Sequence, residues 1–207
     1  MSRLILIRHG ETDYNAQHRY CGFSDPPLNN KGIIQSKRLQ VIFKDIEIDK
    51  IYSSDLKRAY ESASIIFKSN QIEKTPEFRE MNFGNFEGLK YEQLLQKYPQ
   101  LYREWINNPL EVKIPHGESL KDLSKRVKEK IFFILHHYPG KTIAVVTHAG
   151  PIRIILTDIL GFNFKSFWQV EQDIAAYNVI DYSQRLKPCL VKMNETSYLS
   201  TKEKIAL

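Results

Sequence analysis

Two apolar runs in this 207-residue chain each lead straight into a histidine. Leu4-Ile5-Leu6-Ile7 is followed by Arg8-His9-Gly10, and the run from Thr142 to Val146 is followed by Thr147-His148-Ala149-Gly150. Short aliphatic and β-branched runs of this kind fit strands buried on both faces. In an open parallel sheet, the groups that bind and react gather beyond the carboxyl ends of the strands. A third strand-like segment, Ile51-Tyr52, gives way to Ser53-Ser54-Asp55 and then, one turn into a helical pattern, to Arg58. Two imidazoles and two arginines can therefore converge on one sheet edge, with helix N-termini adding backbone donors and positive dipole. That set suits a phosphate dianion, because guanidinium forks grip its oxygens and an imidazole can attack phosphorus. A single histidine after a strand is ordinarily a packed structural residue. Two of them, each with a glycine close behind to allow a tight turn and close ligand approach, are hard to ascribe to packing.

The remaining pattern supplies the elements that must position these groups. From Lys31 to Lys44, Ile34, Leu39 and Ile42 recur among polar residues as on a helix, with Asn29 or Asn30 as cap. The segment through Phe67 is helical, with Ser54 or Asp55 expected at its N-cap. Tyr91 to Trp105 is helical but interrupted by Pro99, which predicts two short helices. The strongest helix begins at Ser119: Leu120, Leu123, Val127, Ile131, Ile134 and Leu135 fall on one face, and Ser119 with Asp122 forms a capping box. Pro151 stands where a helix would start after His148, and Tyr177 to Tyr182 alternates as a strand does. Alternating strands and helices predict an α/β fold, a three-layer α/β/α sandwich around a mostly parallel sheet. No repeat, low-complexity stretch or linker divides the chain, so residues 1–207 are expected to form a single domain. The part after Met193 lacks a period, and residues 194–207 are expected to be a tail or lid.

Composition narrows the function classes. Hydrophobic residues make up 42 % and charged residues 26 %, which excludes collagen-like, coiled-coil and disordered chains. No apolar run approaches the ~20 residues that span a bilayer. The net charge of +6 is spread as lysines among acidic residues with no basic block, which argues against nucleic acid and leaves surface solvation or a pocket for anionic small substrates. Two cysteines, Cys21 and Cys189, make neither a disulfide framework nor a metal pattern. A cytoplasmic, metal-free and cofactor-free protein with no nucleic-acid or membrane partner is expected.

In order along the chain, Leu4 to Asn15, Asp25-Pro26-Pro27-Leu28-Asn29, Gly32 with Gln35, Ser53 to Ala59, Glu80 to Gly88, Gly117-Glu118-Ser119 and Thr147 to Gly150 resemble the histidine phosphatase superfamily. The resemblance covers about residues 3 to 182. It implies a phosphoglycerate mutase-like fold and a metal-independent phosphomonoesterase acting on a small phosphorylated metabolite. By position, His9 matches the nucleophile that becomes phosphohistidine, while Arg8, Arg58 and His148 match the groups that hold the phosphoryl oxygens. Glu80 matches the acid that protonates the leaving oxygen and then activates water. Asn15 matches a further phosphate-pocket donor, and Thr12, Gly22, Ala149 and Glu118 are taken as additional substrate contacts. Members of the family often form homodimers.

The phosphatase branch is favoured over the mutase branch. Mutases carry an adjacent arginine pair for a phosphoglycerate carboxylate, whereas Tyr98 to His116 offers only Arg103. The stretch Phe83 to Gly88 also looks like the phosphatase branch, represented by α-ribazole and phosphoserine phosphatases, although Phe86 stands where tryptophan is usual. The alternatives are a cofactor-dependent mutase and a phospholigand-binding protein without turnover. Outside these motifs, His136 and His137 diverge on a helix and are read as surface residues. His18 and His116 are read as loop histidines, Cys21 as an inert thiol, and Tyr98, Tyr102 and Trp105 as helix packing.

Overall fold

The computed structural model describes residues 1–162, 164–183, 185 and 187–204, with the side chains of 164–166 left aside. Residues 205–207 of the expected tail thus lie outside the described residues. The strands are β1 (Ser2–Arg8), β2 (Lys50–Ser53), β3 (Ile72–Lys74), β4 (Thr142–Thr147), β5 (Tyr177–Tyr182) and β6 (Pro188–Glu195). The helices are α1 (Asp13–Ala16), α2 (Asn30–Phe43), α3 (Lys57–Phe67), α4 (Tyr91–Lys97), α5 (Pro99–Asn107), α6 (Leu120–His137) and α7 (Ala149–Ile159). One six-stranded sheet runs in the order β3-β2-β4-β1-β5-β6. Its β3-β2-β4-β1 half is parallel, and β5 and β6 add an antiparallel edge.

Strand alternation divides the core in two. Leu4, Leu6, Ile143, Val145, Ile180 and Tyr182 face α6, α7 and the aromatic cluster of Phe78, Phe86 and Trp105. Ile5, Ile7, Ala144, Val146, Tyr177 and Val179 face α2, α3 and Leu199. Three layers result, as the alternation of elements predicts. All six apolar positions predicted for α6 are buried, and Ser119 and Asp122 complete the capping box. Tyr98, Tyr102 and Trp105 pack among aromatic rings, also as predicted.

Two expectations need correction. Ile34 is exposed, and α2 instead buries Gly32, Gln35, Ser36, Leu39 and Phe43. The reason is close backbone approach: a Cβ on Gly32 would strike the carbonyl of Glu11, so the face that carries Gly32 is the one turned inward. Neither Ser54 nor Asp55 is the N-cap of α3. Leu56 is, without a side-chain cap. The Ser54 hydroxyl lies on His148, Asp55 is taken by Arg79, and Asp25 accepts the Lys57 N–H at 2.6 Å from across the chain. The last residues described lie along α2, where Gln35 donates to the Glu203 carbonyl and Arg38 pairs with the Glu203 carboxylate.

Candidate active site

Sheet register places the two histidines side by side. Arg8 is paired with Thr147 across β1 and β4, so the next residue of each strand, His9 and His148, emerges at the same level. Their ring centroids are 5.0 Å apart. The His9 N–H continues the ladder to the Thr147 carbonyl at 3.0 Å, and Ser54 N–H, at the end of β2, reaches the Val146 carbonyl at 2.9 Å. Both rings are buried.

The hydrogen bonds define the His9 tautomer. Nδ1 lies 2.7 Å from the Gly10 carbonyl, which has no proton to give, so Nδ1 carries the hydrogen. Nε2 is left with its lone pair and accepts from Arg58 Nε at 3.3 Å. Burial first, then Arg58 and Arg8, hold the His9 pKa well below its ordinary value. His9 is therefore a neutral, oriented imidazole at pH 7. His148 is likewise held well below its ordinary value, by burial, then Arg58 and His9. Its Nε2 lies 2.9 Å from Ser54 Oγ, and its Nδ1 is buried without a partner. Among the described residues nothing meets that Nδ1, which leaves it able to hydrogen-bond an anionic oxygen.

Arg58 is 1 % exposed and clamps the 21–24 loop. Nη1 donates to the Ser24 carbonyl and Nη2 to the Gly22 carbonyl, each at 2.7 Å, leaving Nε toward His9. The arginine thus serves loop and nucleophile together rather than presenting a free fork. Arg8 donates Nη1 to the Gln172 carbonyl, and its Nε is buried and unpartnered. Burial, with Arg153 next, lowers the Arg8 pKa to about 10, still far above neutrality.

Glu80 is brought to the site by its contact with the start of α7. Its carboxylate accepts from Gly150 N–H at 3.1 Å and from Met81 N–H at 2.8 Å, at the start of α7 and two residues past His148. A Cβ on Gly150 would meet Glu80 Oε1, so a larger residue there would displace the Glu80 carboxylate from this position. Arg126 on α6 holds the segment behind this acid: it donates to the carbonyls of Glu77, Arg79 and Glu80 at 2.7, 2.7 and 2.9 Å.

The predicted contacts divide. Asn15 lines a cavity of about 320 Å³ with Arg8, His18, Arg19, Arg153 and residues 171–174. Thr12 is fully buried and caps α1, donating Oγ1 to Asn15 Oδ1. Gly22 supports Arg58 through its carbonyl, and Ala149 is buried in the first turn of α7. Glu118 does not open to the site. Both its oxygens pair with Arg126 at 2.9–3.0 Å, and one also accepts from Asn82 N–H, so it braces the acid-bearing segment instead of meeting substrate. Burial pushes the Cys21 thiol up to about 11, which keeps it protonated. His136 and His137 stack on Phe132 and Phe133 at the surface. Arg126, Arg153 and Gln172 were not anticipated, nor was Ser54 as the partner of His148. Arg153, one and a half turns after His148, carried a readable spacing, while the others depend on contacts distant in sequence.

A mixed α/β sheet with paired strand-end histidines inside an arginine-lined anion site defines a phosphoglycerate mutase-like protein. The chain belongs to the histidine phosphatase superfamily (branch 1), whose sequence model matches residues 4–196. Phosphoserine phosphatase 1 of Hydrogenobacter thermophilus is 35 % identical over 201 residues, covering 96 % of this chain and 95 % of that one. The phosphoserine phosphatase of Entamoeba histolytica, solved with 3-phosphoglyceric acid, superposes with a TM-score of 0.87 at 25 % identity, over 97 % of this chain and 100 % of the other. The α-ribazole phosphatase of Shigella flexneri gives 0.84 at 29 % identity, over 99 % and 98 %.

Proposed function

We propose that this chain is a phosphomonoesterase that hydrolyses a small phosphorylated metabolite through a phosphohistidine on His9. The observation that carries this is the His9 ring, locked by Nδ1–H on Gly10 with its Nε2 lone pair facing an arginine. Nε2 attacks phosphorus and the bond from phosphorus to the ester oxygen breaks. Glu80 acts as the general acid and gives a proton to the departing oxygen. Water then gives a proton back to Glu80 and attacks the phosphoryl group, which leaves Nε2 as inorganic phosphate.

Arg8 Nε, Arg58 Nε and His148 Nδ1 surround the transferring group. The two arginines spread its charge without reorganising. His148 picks up a proton when the dianion arrives, because the new negative charge reverses the local field, and its Nδ1–H then donates to a phosphoryl oxygen. Asn15 contributes a side-chain amide from the cavity rim. These groups give the dianion its counter-charge, so no metal is assigned a step. Hydrolysis is favoured over transfer because Arg103, the sole arginine of α5, is exposed and has no adjacent arginine. Residues 1–207 work as a single domain, and the cytoplasm fits a chain whose Cys21 and Cys189 are both free. Among the described residues no helix is long and apolar enough to cross a membrane.

The test is phosphate release from a panel of small monoesters together with rapid acid-free quenching to trap phosphohistidine. Wild type releases phosphate after full chelation with EDTA and carries label on His9, and His9→Ala loses both. Label on His148, or bisphosphoglycerate-dependent interconversion of phosphoglycerates without free phosphate, overturns the proposal.

A further inference from the structure

The cavity beside Arg8 holds two cations outside the phosphoryl chemistry, Arg19, which is tied to Gln17 and the Gly88 carbonyl, and Arg153. Arg153 lies on α7 three residues beyond Gly150, about 4.5 Å further along the helix from the N–H that holds Glu80. It lines the same cavity as Arg8 and Asn15. Its Nε is tied to the Val170 carbonyl at 2.8 Å and its guanidinium lies 5.8 Å from the Phe167 ring centroid, so the group is held in place. Its terminal nitrogens have no hydrogen-bond partner among the described residues. Burial lowers its pKa, as it lowers that of Arg8, and two half-buried guanidiniums share one small cavity.

A structural arginine would need only the Val170 bond. Glu80, Glu171 and Asp173 offset part of this charge, yet Arg153 makes no direct ion pair among the described residues, so a ligand anion can still meet its terminal nitrogens. The phosphoryl group already faces Arg8, Arg58 and His148. Arg153 shares the cavity wall with Arg8 and feels the Glu80 charge, which leaves it to meet the rest of the substrate.

Building on the phosphatase reading, we propose that Arg153 receives a carboxylate carried by the leaving alcohol, so that the preferred substrates are phosphate esters of small hydroxy or amino acids. A neutral nucleoside alcohol would leave that guanidinium desolvated with no partner. Glu171, exposed on the same cavity wall, is placed to meet an ammonium, which would separate amino-acid from hydroxy-acid esters.

O-Phosphoserine and O-phosphoethanolamine differ only by the carboxylate, which makes them the test pair, with 3-phosphoglycerate reporting on the ammonium. Wild type should prefer phosphoserine over phosphoethanolamine by at least about tenfold in kcat/KM, a charge-assisted hydrogen bond's worth. Arg153→Gln should bring that ratio close to one, chiefly through KM, and Arg153→Lys should restore part of it. Equal wild-type rates on the pair, or an unchanged ratio in Arg153→Gln, overturns the assignment. p-Nitrophenyl phosphate separates the two levels: wild type turning over this ester without preferring carboxylates sinks the role of Arg153 alone, whereas no phosphate release from any ester sinks the phosphatase reading beneath it.

Discussion

His9 and His148 are placed by backbone, whereas Glu80 is placed by side chains. Each histidine follows the last paired residue of a central strand, so its position is inherited from a ladder shared by β1 and β4. Glu80 sits in the irregular stretch between β3 and α4, after the single turn Pro76–Phe78, and is steadied by Arg126 and Glu118. Backbone pairing tolerates most substitutions around it, because no one side chain carries it. A side-chain brace fails when one member is removed, since the partner is then left buried and unpaired. The nucleophilic half should therefore be mechanically robust and the acid half fragile.

The largest expected break in this symmetry comes from Glu80→Gln. Losing a general acid costs about 10²–10⁴-fold on poor leaving groups and far less on p-nitrophenol, which departs without a proton. A plot of log(kcat/KM) against leaving-group pKa should steepen. An unchanged slope would assign the proton to another residue.

Arg58→Lys tests the other half. An ammonium cannot donate to Ser24, Gly22 and the His9 side at once. The expected loss is about 2–3 kcal/mol in transition-state stabilisation, or ~30–150-fold in kcat/KM, on every substrate alike. A loss confined to one leaving group would place Arg58 with the alcohol.

Arg126→Met sharpens the contrast, because it loosens Glu80 without touching it. A roughly tenfold loss that grows with leaving-group pKa is expected, smaller than for Glu80→Gln but with the same signature. A uniform loss across leaving groups would mean that Arg126 supports only the fold.

The smallest effect is on stability. His9 and His148 titrate below their ordinary value in the folded chain, so the unfolded chain binds more protons as pH falls. Stability should be full above about pH 6.5 and decline below it, by on the order of 1 kcal/mol per histidine over the first unit. Thermal unfolding at pH 7.5, 6.5 and 5.5 reads this directly, and His148→Asn should flatten the decline. A Tm that rises on acidification would contradict the buried neutral histidines.

The same contrast explains what was readable in the residues. Apolar runs ending at His9 and His148 announce strands and their exits by local pattern, and the α6 stripe with its Ser119 cap is equally local. The β1–β4 pairing then follows from ordinary parallel-sheet logic. Arg126 is one charge on the polar side of an amphipathic helix, and nothing nearby says that it answers to carbonyls 46–49 positions earlier. Glu118 is misread for the same reason, since its partner is an arginine eight positions on rather than a ligand. Ser54 and Asp55 look like caps, and only the tertiary arrangement gives them to His148 and Arg79. Ile34 follows the helical period yet faces water, because α2 must bring Gly32 against the Glu11 backbone.

Strand order also has a consequence during synthesis. β1 is made first but lies in the middle of the sheet, between β4 and β5, so its partners are residues 142–147 and 177–182. While the ribosome is still extending the chain, Leu4-Ile5-Leu6-Ile7 has neither neighbour and must wait as an exposed, aggregation-prone segment. Contacts this distant in sequence slow the final assembly. His9 is therefore made before β4 and β5, and the ladder that fixes its exit from the sheet forms only when residues 142–182 have emerged. A nascent chain arrested before β4 would be inert toward phosphate esters.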